Sequence, residues 1–411
     1  MQAFENRVQS EISAGKIPGS VAMAKSKTGS FTYTKAHGPR SGKDGETSEP
    51  LKTDGIFFLA SCTKLLTAIS ALQCVERGQF TLDEDVTRLL PELKDMDILK
   101  GFEAESDKPI LVKATKTITL RQFLTHTSGL AYDVFTPELI RWRASRGETA
   151  SLSNGTVLTR NRTPLMFEPG ESWTYSTGPD WAGVMVERAN NTDLETYMKK
   201  HIFTPLGHTD FAFFIEKHPD LHHRLVPMAL RAGGELPGFG TAANPDGALS
   251  TLPSPFWPEG QSDCAGGAGG YASAPAYQAV LHSLVLNDGL LLTPAMNDEL
   301  FRPQLSSAQI EVVAAAMQLE PMRAIMAPGL PAGTKLDYAL GGMITMEDVG
   351  GQRRKGAMHW GGLPNLAWWC DREAGVGGLF AHQLVPTGDE RCAEMFGEFE
   401  RAVYESLGKV E

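Results

Sequence analysis

The chain has 411 residues, 42% of them hydrophobic and 21% charged, a balance that suits one large globular domain or two sharing a cleft. A formal net charge of −11 argues against a nucleic-acid surface. No apolar run reaches the roughly 20 residues that cross a bilayer, so neither membrane nor nucleic acid is an expected partner.

The N-terminal MQAFENRVQSEISAGK reads as a surface helix without the apolar core of a signal peptide. The five cysteines (Cys62, Cys74, Cys264, Cys370, Cys392) form no C-x-x-C pair and suit reduced thiols, so a cytoplasmic location is expected. IPGSVAMAKS and GSFTYTKAHG follow as two strands joined by a Lys-Thr-Gly turn. FLASCTKLLTAISALQCVERG then carries apolar residues at helical spacing up to Gly78, which stops the run as a C-cap glycine does. LDEDVTRLLPEL, ITLRQFLTHTSGL, residues 133–150 and residues 179–203 are predicted helical, making 86–225 mainly α.

From Arg231 to Gly270 the chain is rich in Gly, Pro, Ala and Ser, and its Phe239, Phe256 and Trp257 mark it as a cleft wall rather than a linker. SAPAYQAVLHSLVLNDG is the next helix. ALGGMITME, GAMHWGG, NLAWWCD and VGGLFAHQ are strand-like, and a last helix starts at Asp389. Strands at both ends with helices between them predict an α/β fold. Residues 1–85 and 271–411 would form an α/β lobe around one antiparallel sheet, and 86–270 a helical lobe carrying the cleft loop 231–270.

Ser61 and Lys64 stand three residues apart at the start of a predicted helix, so the lysine reaches the serine hydroxyl. Alone, S-x-x-K also fits an N-cap serine followed by a solvated lysine. A serine nucleophile needs a neighbouring base, and the G-x-S-x-G elbow is absent. A lysine whose ammonium is disfavoured by burial and by a helix N-terminus fills that need. Tyr175, after the Pro169-Gly170 turn, is a candidate to hold the proton in transit as a phenolate, against a reading as a buried aromatic. Ser61 N–H and a backbone donor from His359-Trp360-Gly361-Gly362-Leu363 would complete an oxyanion hole. No H-E-x-x-H occurs, and neither metal nor cofactor is expected.

Ser61-x-x-Lys64, HTSGL at 126–130, Tyr175-Ser176 and Trp360-Gly361-Gly362, in that order, resemble the motifs of the serine β-lactamase-like superfamily. Within it, LAS-TKLLT, TLRQFLTHTSGL, DWAG, RRKG and PN–W are similar to the fungal lovastatin-type acyltransferases and their esterase relatives, over about residues 10–405. The resemblance implies a β-lactamase/transpeptidase-like fold, with an antiparallel sheet flanked by helices and an all-α lobe. It implies Ser61 as nucleophile, Lys64 and Tyr175 as the proton-handling pair, and Ser61 and Leu363 as oxyanion donors. Trp360, Gly361 and Gly362 would border the substrate, with Arg160 and Trp368 at positions that contact the acyl acceptor. Arg160 also reads as a solvated surface charge, and Trp368 as core.

The superfamily's hydrolases of β-lactams carry Tyr-x-Asn and Lys-Thr-Gly where this chain has Tyr175-Ser176-Thr177 and Trp360-Gly361-Gly362. Without a cation at Trp360, a β-lactam carboxylate has no counter-charge there. The expected function is a serine acyltransferase of secondary metabolism. Its donor would be an acyl thioester, on a polyketide synthase acyl carrier domain or as a coenzyme A ester, and its acceptor a small hydrophobic, polyketide-like alcohol. A carboxylesterase on the same fold is the near alternative. A β-lactamase, a D-alanyl peptidase and a non-catalytic binding protein fit less well, since a binding protein has no need of Ser61, Lys64 and Tyr175 together.

Overall fold

The run Val376–Ala381 is apolar on every residue, which a strand tolerates only when both of its faces are covered. In the computed structural model, which describes residues 1–40, 49–233, 244–252 and 255–409, it lies inside a seven-stranded antiparallel sheet. The strands follow in space as Leu336–Tyr338, Met343–Thr345, Met358–Gly362, Leu366–Asp371, Val376–Ala381, Ser20–Ser26 and Thr32–His37. Both ends of the chain therefore build one sheet, and Val21 pairs with Ala36 on one side and Ala381 on the other.

One face packs on the terminal helices Gln2–Ser13 and Glu390–Leu407 through Phe4, Val8, Trp369, Phe380, Phe396 and Phe399. The other face packs on helix Ala274–Leu286 and, beyond it, on helix Thr63–Glu76, whose residues from Thr63 to Cys74 are all buried. Trp369 lies over Gly378 of the next strand, where a Cβ would meet the indole at 2.5 Å. The five cysteines are free and buried.

The helical reading of 86–225 holds only in part. LDEDVTRLLPEL forms two short 3-10 turns, Val86–Arg88 and Pro91–Leu93, because the Asp85 side chain ties Thr87 N–H and Pro91 has no N–H to continue a helix. TLRQFL gives one short helix, Leu120–Leu124, opened by a Thr119/Gln122 capping box. It stops where His126 takes a left-handed φ of +61°. The predicted helix over 179–203 divides at Asn191, likewise left-handed, into Gly178–Asn190 and Leu194–Met198. Asp97–Phe102 and Pro109–Lys113 form a hairpin that the sequence reading lacks. The neighbouring exposed residues Ile110, Leu111 and Val112 hide the alternation of a strand.

The Gly/Pro-rich segment is tied down at its start. The Arg231 guanidinium, fully buried, pairs with Asp389 at 2.5 Å and also donates to the carbonyls of Lys16, Pro245 and Gly247. Asp389 in turn accepts the Cys392 N–H at the start of the last helix. Phe239 lies outside the described residues. Asp389→Ala strands a buried guanidinium and removes a cap. The expected loss is about 3–5 kcal/mol of stability in denaturant unfolding; a loss below about 1 kcal/mol would show that the pair is not buried in solution.

Candidate active site

The strand Ile56–Phe58 runs into a 3-10 turn, Ala60–Cys62, and then into the helix Thr63–Glu76. Ala60 takes φ +44°, a conformation uncommon for a residue with a Cβ. The turn keeps the Ser61 side chain off the helix end: it caps no backbone N–H, so the N-cap reading of Ser61 is not the one realised. Its Oγ instead meets the Tyr175 hydroxyl at 2.6 Å and Lys64 Nζ at 3.2 Å.

Lys64, 4% exposed, also reaches the Tyr132 hydroxyl at 3.0 Å and the Gly267 carbonyl at 2.7 Å. The loop around Gly267 is sewn to the same helix on both sides, by Thr67 Oγ1 donating to Gly266 O at 2.7 Å and by Gly270 N–H donating to Thr63 Oγ1 at 3.0 Å. That loop thus shuts water away from the lysine. Burial pushes the Lys64 pKa down to about 7, against the opposing charge of Asp180. Three hydrogen-bond partners suit a free amine: it donates to Gly267 O and the Tyr132 oxygen, and its lone pair accepts the Ser61 proton.

Burial also pushes the Tyr175 phenol upward, so it stays protonated and donates to Ser61 Oγ. Burial thus disfavours the phenolate expected from the sequence and favours the free amine of Lys64 as the base. Tyr175 packs against the rings of His126 at 4.8 Å, Tyr132 at 5.4 Å and Trp360 at 5.4 Å. The HTSGL motif acts here through His126. Its Nδ1 accepts the Ser176 N–H at 3.1 Å, leaving the ring proton on Nε2, which faces the Tyr338 oxygen at 3.1 Å. Burial keeps this imidazole neutral.

Ser61, Tyr175, Trp360, Gly361, Gly362 and Leu363 border one cavity. Strand Met358–Gly362 packs on the turn that carries Ser61, and Gly362 lies so close to the Leu59 carbonyl that a side chain there would clash. Leu363 leaves the strand at the cavity edge, on the same cavity as Ser61. Phe256 and Trp257 of the Gly/Pro-rich segment form part of the wall, together with Phe58, Phe135, Leu152, Ile325 and Met326.

Arg160 and Trp368 fare differently. Arg160 is buried, 7% exposed, which excludes the solvated reading. It lines a small side pocket that shares Tyr132, Leu152, Trp257 and Ala268 with the main cavity. Trp368 is a correction: it is fully buried and packs on Tyr277, with ring centroids 6.4 Å apart, and does not border the cavity. It pairs in register with Trp360, so the two share a sheet face, but Trp360 covers the cavity side. The sequence reading also passed over Tyr132, Asp180 and Gly267. A tyrosine just after HTSGL and a glycine within CAGGAGG were the visible signals.

The profile of the Beta-lactamase family matches residues 3–396. The chain belongs to that family. It is 37% identical over 405 residues to the monacolin J acid methylbutanoyltransferase of Aspergillus terreus, covering 98% of this chain and 95% of that one. It is 36% identical over 402 residues to the lovastatin esterase of Penicillium rubens, with 98% of both chains covered. The solved structure of a simvastatin synthase mutant from Aspergillus terreus superposes with a TM-score of 0.89 at 37% identity, over 99% of this chain and 97% of that one. The protein is thus an acyl-transferring enzyme with the β-lactamase/transpeptidase-like fold. Among the described residues no helix is long and apolar enough to cross a membrane.

Arginine keeps a positive charge and cannot give up its proton, so Lys64→Arg is expected to be nearly as inactive as Lys64→Ala in p-nitrophenyl ester turnover. The Lys64 pKa near 7 gives the sign of the pH dependence: kcat/KM for acylation falls as pH drops through about 7 and the amine becomes an ammonium. A pH–rate profile that is flat down to pH 5, or an active arginine variant, contradicts this.

Proposed function

We propose that the protein moves an acyl group from a thioester onto Ser61 and then to an alcohol of a fused-ring, polyketide-like acceptor. The observation that carries this reading is the apolar cavity around Ser61, with the Trp360 indole where the resemblance to β-lactam hydrolases would put a cation. Such a wall gains about 25 cal/mol per Å² from an apolar ring system and offers a β-lactam carboxylate no counter-charge.

In the first half-reaction the Ser61 proton passes to Lys64 Nζ, 3.2 Å away, while the Tyr175 hydroxyl holds the developing alkoxide. The oxygen attacks the thioester carbonyl, and the negative charge that moves onto the carbonyl oxygen is received by the Ser61 and Leu363 N–H groups. Collapse breaks the C–S bond and expels the thiolate, which takes the proton from the Lys64 ammonium and departs as the thiol. In the second half-reaction the acceptor alcohol gives its proton to the same amine and attacks the acyl ester. Ser61 then leaves as the alkoxide and recovers the proton.

The donor thiol is assigned to an acyl carrier domain or coenzyme A. The relative named for transferring a methylbutanoyl group to monacolin J acid makes a short branched acyl chain the first probe. The side pocket is assigned to a polar end of the acceptor, with Asp133 and Asp180 on the same wall and Asp263 3.9 Å from the Arg160 guanidinium. Arg160 Nη2 and the Thr177 hydroxyl border it, both buried and without a hydrogen-bond partner among the described residues. An esterase is the second reading, favoured by the similarity to lovastatin esterase.

A competition assay separates the readings. A methylbutanoyl thioester is supplied with and without a polyketide alcohol that bears a carboxylate, and ester and free acid are both quantified. The expected result is ester formation that outruns hydrolysis once the acceptor is present. Free acid alone, unchanged by the acceptor, identifies an esterase; hydrolysis of a cephalosporin reporter as fast as the thioester overturns both.

A further inference from the structure

Gly267 is bonded on both sides of its α-carbon to the catalytic machinery. Its carbonyl accepts a Lys64 N–H at 2.7 Å, and its own N–H donates to Asp180 Oδ1 at 3.0 Å. Asp180 is 3% exposed and comes from the first turn of the helix Gly178–Asn190, far from Lys64 in sequence. The approach is tight enough that a Cβ on Gly267 would clash with the Asp180 carboxylate and sit 2.9 Å from the Tyr132 hydroxyl. Thr63 and Thr67 secure the loop at Gly270 and Gly266, but the bond that fixes the Gly267 amide comes from Asp180.

We propose that Asp180 is a positioning residue for Lys64: through Gly267 it holds the carbonyl that orients the amine, so that the nitrogen lone pair points at Ser61. This rests on the reading of Lys64 as base. A primary amine turns freely about its last bond, and only fixed acceptors decide where its lone pair lies. Asp180 also adds charge. Lys64 is faced by Asp180, which favours the ammonium, by the Cys62 thiol, which burial keeps protonated, and by the neutral Tyr132, Tyr175 and His126. Burial pushes the Asp180 carboxyl up; Arg160, Lys64 and the Gly267 N–H favour its ionised form, Asp263 opposes it, and the Tyr132 beside it is neutral. Nothing in the proton transfer requires the Asp180 carboxylate to touch the substrate.

The test compares Asp180→Asn, which keeps an oxygen acceptor for the Gly267 N–H but loses the charge, with Asp180→Ala, which loses both. Pre-steady-state acylation by a p-nitrophenyl ester is followed across pH and normalised to burst-titrated active sites, so that misfolded protein is not counted. In the asparagine variant the acid limb of kcat/KM is expected to move to lower pH by about half a unit or more, because a nearby anion no longer favours the ammonium. The alanine variant is expected to lose about tenfold or more in the per-site acylation rate, with KM changed by less than about threefold. An unmoved acid limb in the asparagine variant overturns the assignment, as does an alanine variant that acylates at the wild-type per-site rate. Lys64→Ala, run alongside, keeps the two levels apart. If it still turns over, the base assignment itself fails; if it is silent while the asparagine limb stays in place, only the role of Asp180 fails.

Discussion

A lysine enclosed by protein beside a serine hydroxyl is the constraint on which the rest of the site depends. Lys64 sits on a helix buried from Thr63 to Cys74 and is itself 4% exposed, so its nitrogen is held away from water. An ammonium there would have to be solvated by the protein alone, and the available oxygens are one carbonyl and two hydroxyls. Removal from water penalises the ammonium more than those three oxygens repay, which is why the pKa falls to about 7 rather than staying in the ordinary lysine range. The Asp180 charge opposes a deeper fall, and the rings of Tyr175 and Tyr132 lie 4.6 and 5.2 Å from the nitrogen.

The fold serves that arrangement by bringing four distant segments together. The turn at Ser61 is set by the strand before it and by contact with Met358–Gly362, a strand from the last quarter of the chain. Tyr175 and Asp180 arrive at the head of helix Gly178–Asn190, Tyr132 from the turn after HTSGL, and Gly267 from a loop whose glycines permit contact with the threonines of the nucleophile helix. The sheet closes because both chain ends contribute strands to it, and the terminal helices cover its far face. The cavity wall is assembled last, from Phe256, Trp257, Ile325, Met326 and Trp360.

Much of this was legible in the sequence, for local reasons. Ser61, Lys64 and Tyr175 announce themselves through residue type and spacing, and the C-terminal strands through runs of apolar residues broken by turn glycines. The last helix was legible from Asp389, which does cap it. What escaped was set by tertiary contact. Pro91 and the left-handed His126 shorten helices whose apolar spacing looked sufficient. Asp180 and Gly267 meet only because two segments 87 residues apart cross at the lysine. Trp360 and Trp368 are the same residue type on paired strands, and only packing decides that one borders the cavity while the other is core. The cost of a phenolate at Tyr175 escaped for the same reason: burial, which periodicity does not report, pushes the phenol upward.

The central claim is the protonation state of one side chain, and it can be read without any substrate. In protein labelled with 13C at the lysine ε-carbon, the chemical shift of each lysine is followed by NMR as pH is raised, with Lys64→Arg used to assign the Lys64 signal. The account predicts one lysine titrating near pH 7, and that signal missing from the variant. If every lysine, Lys64 included, titrates at about 10 or above, the amine is an ammonium at neutral pH and cannot be the base that activates Ser61.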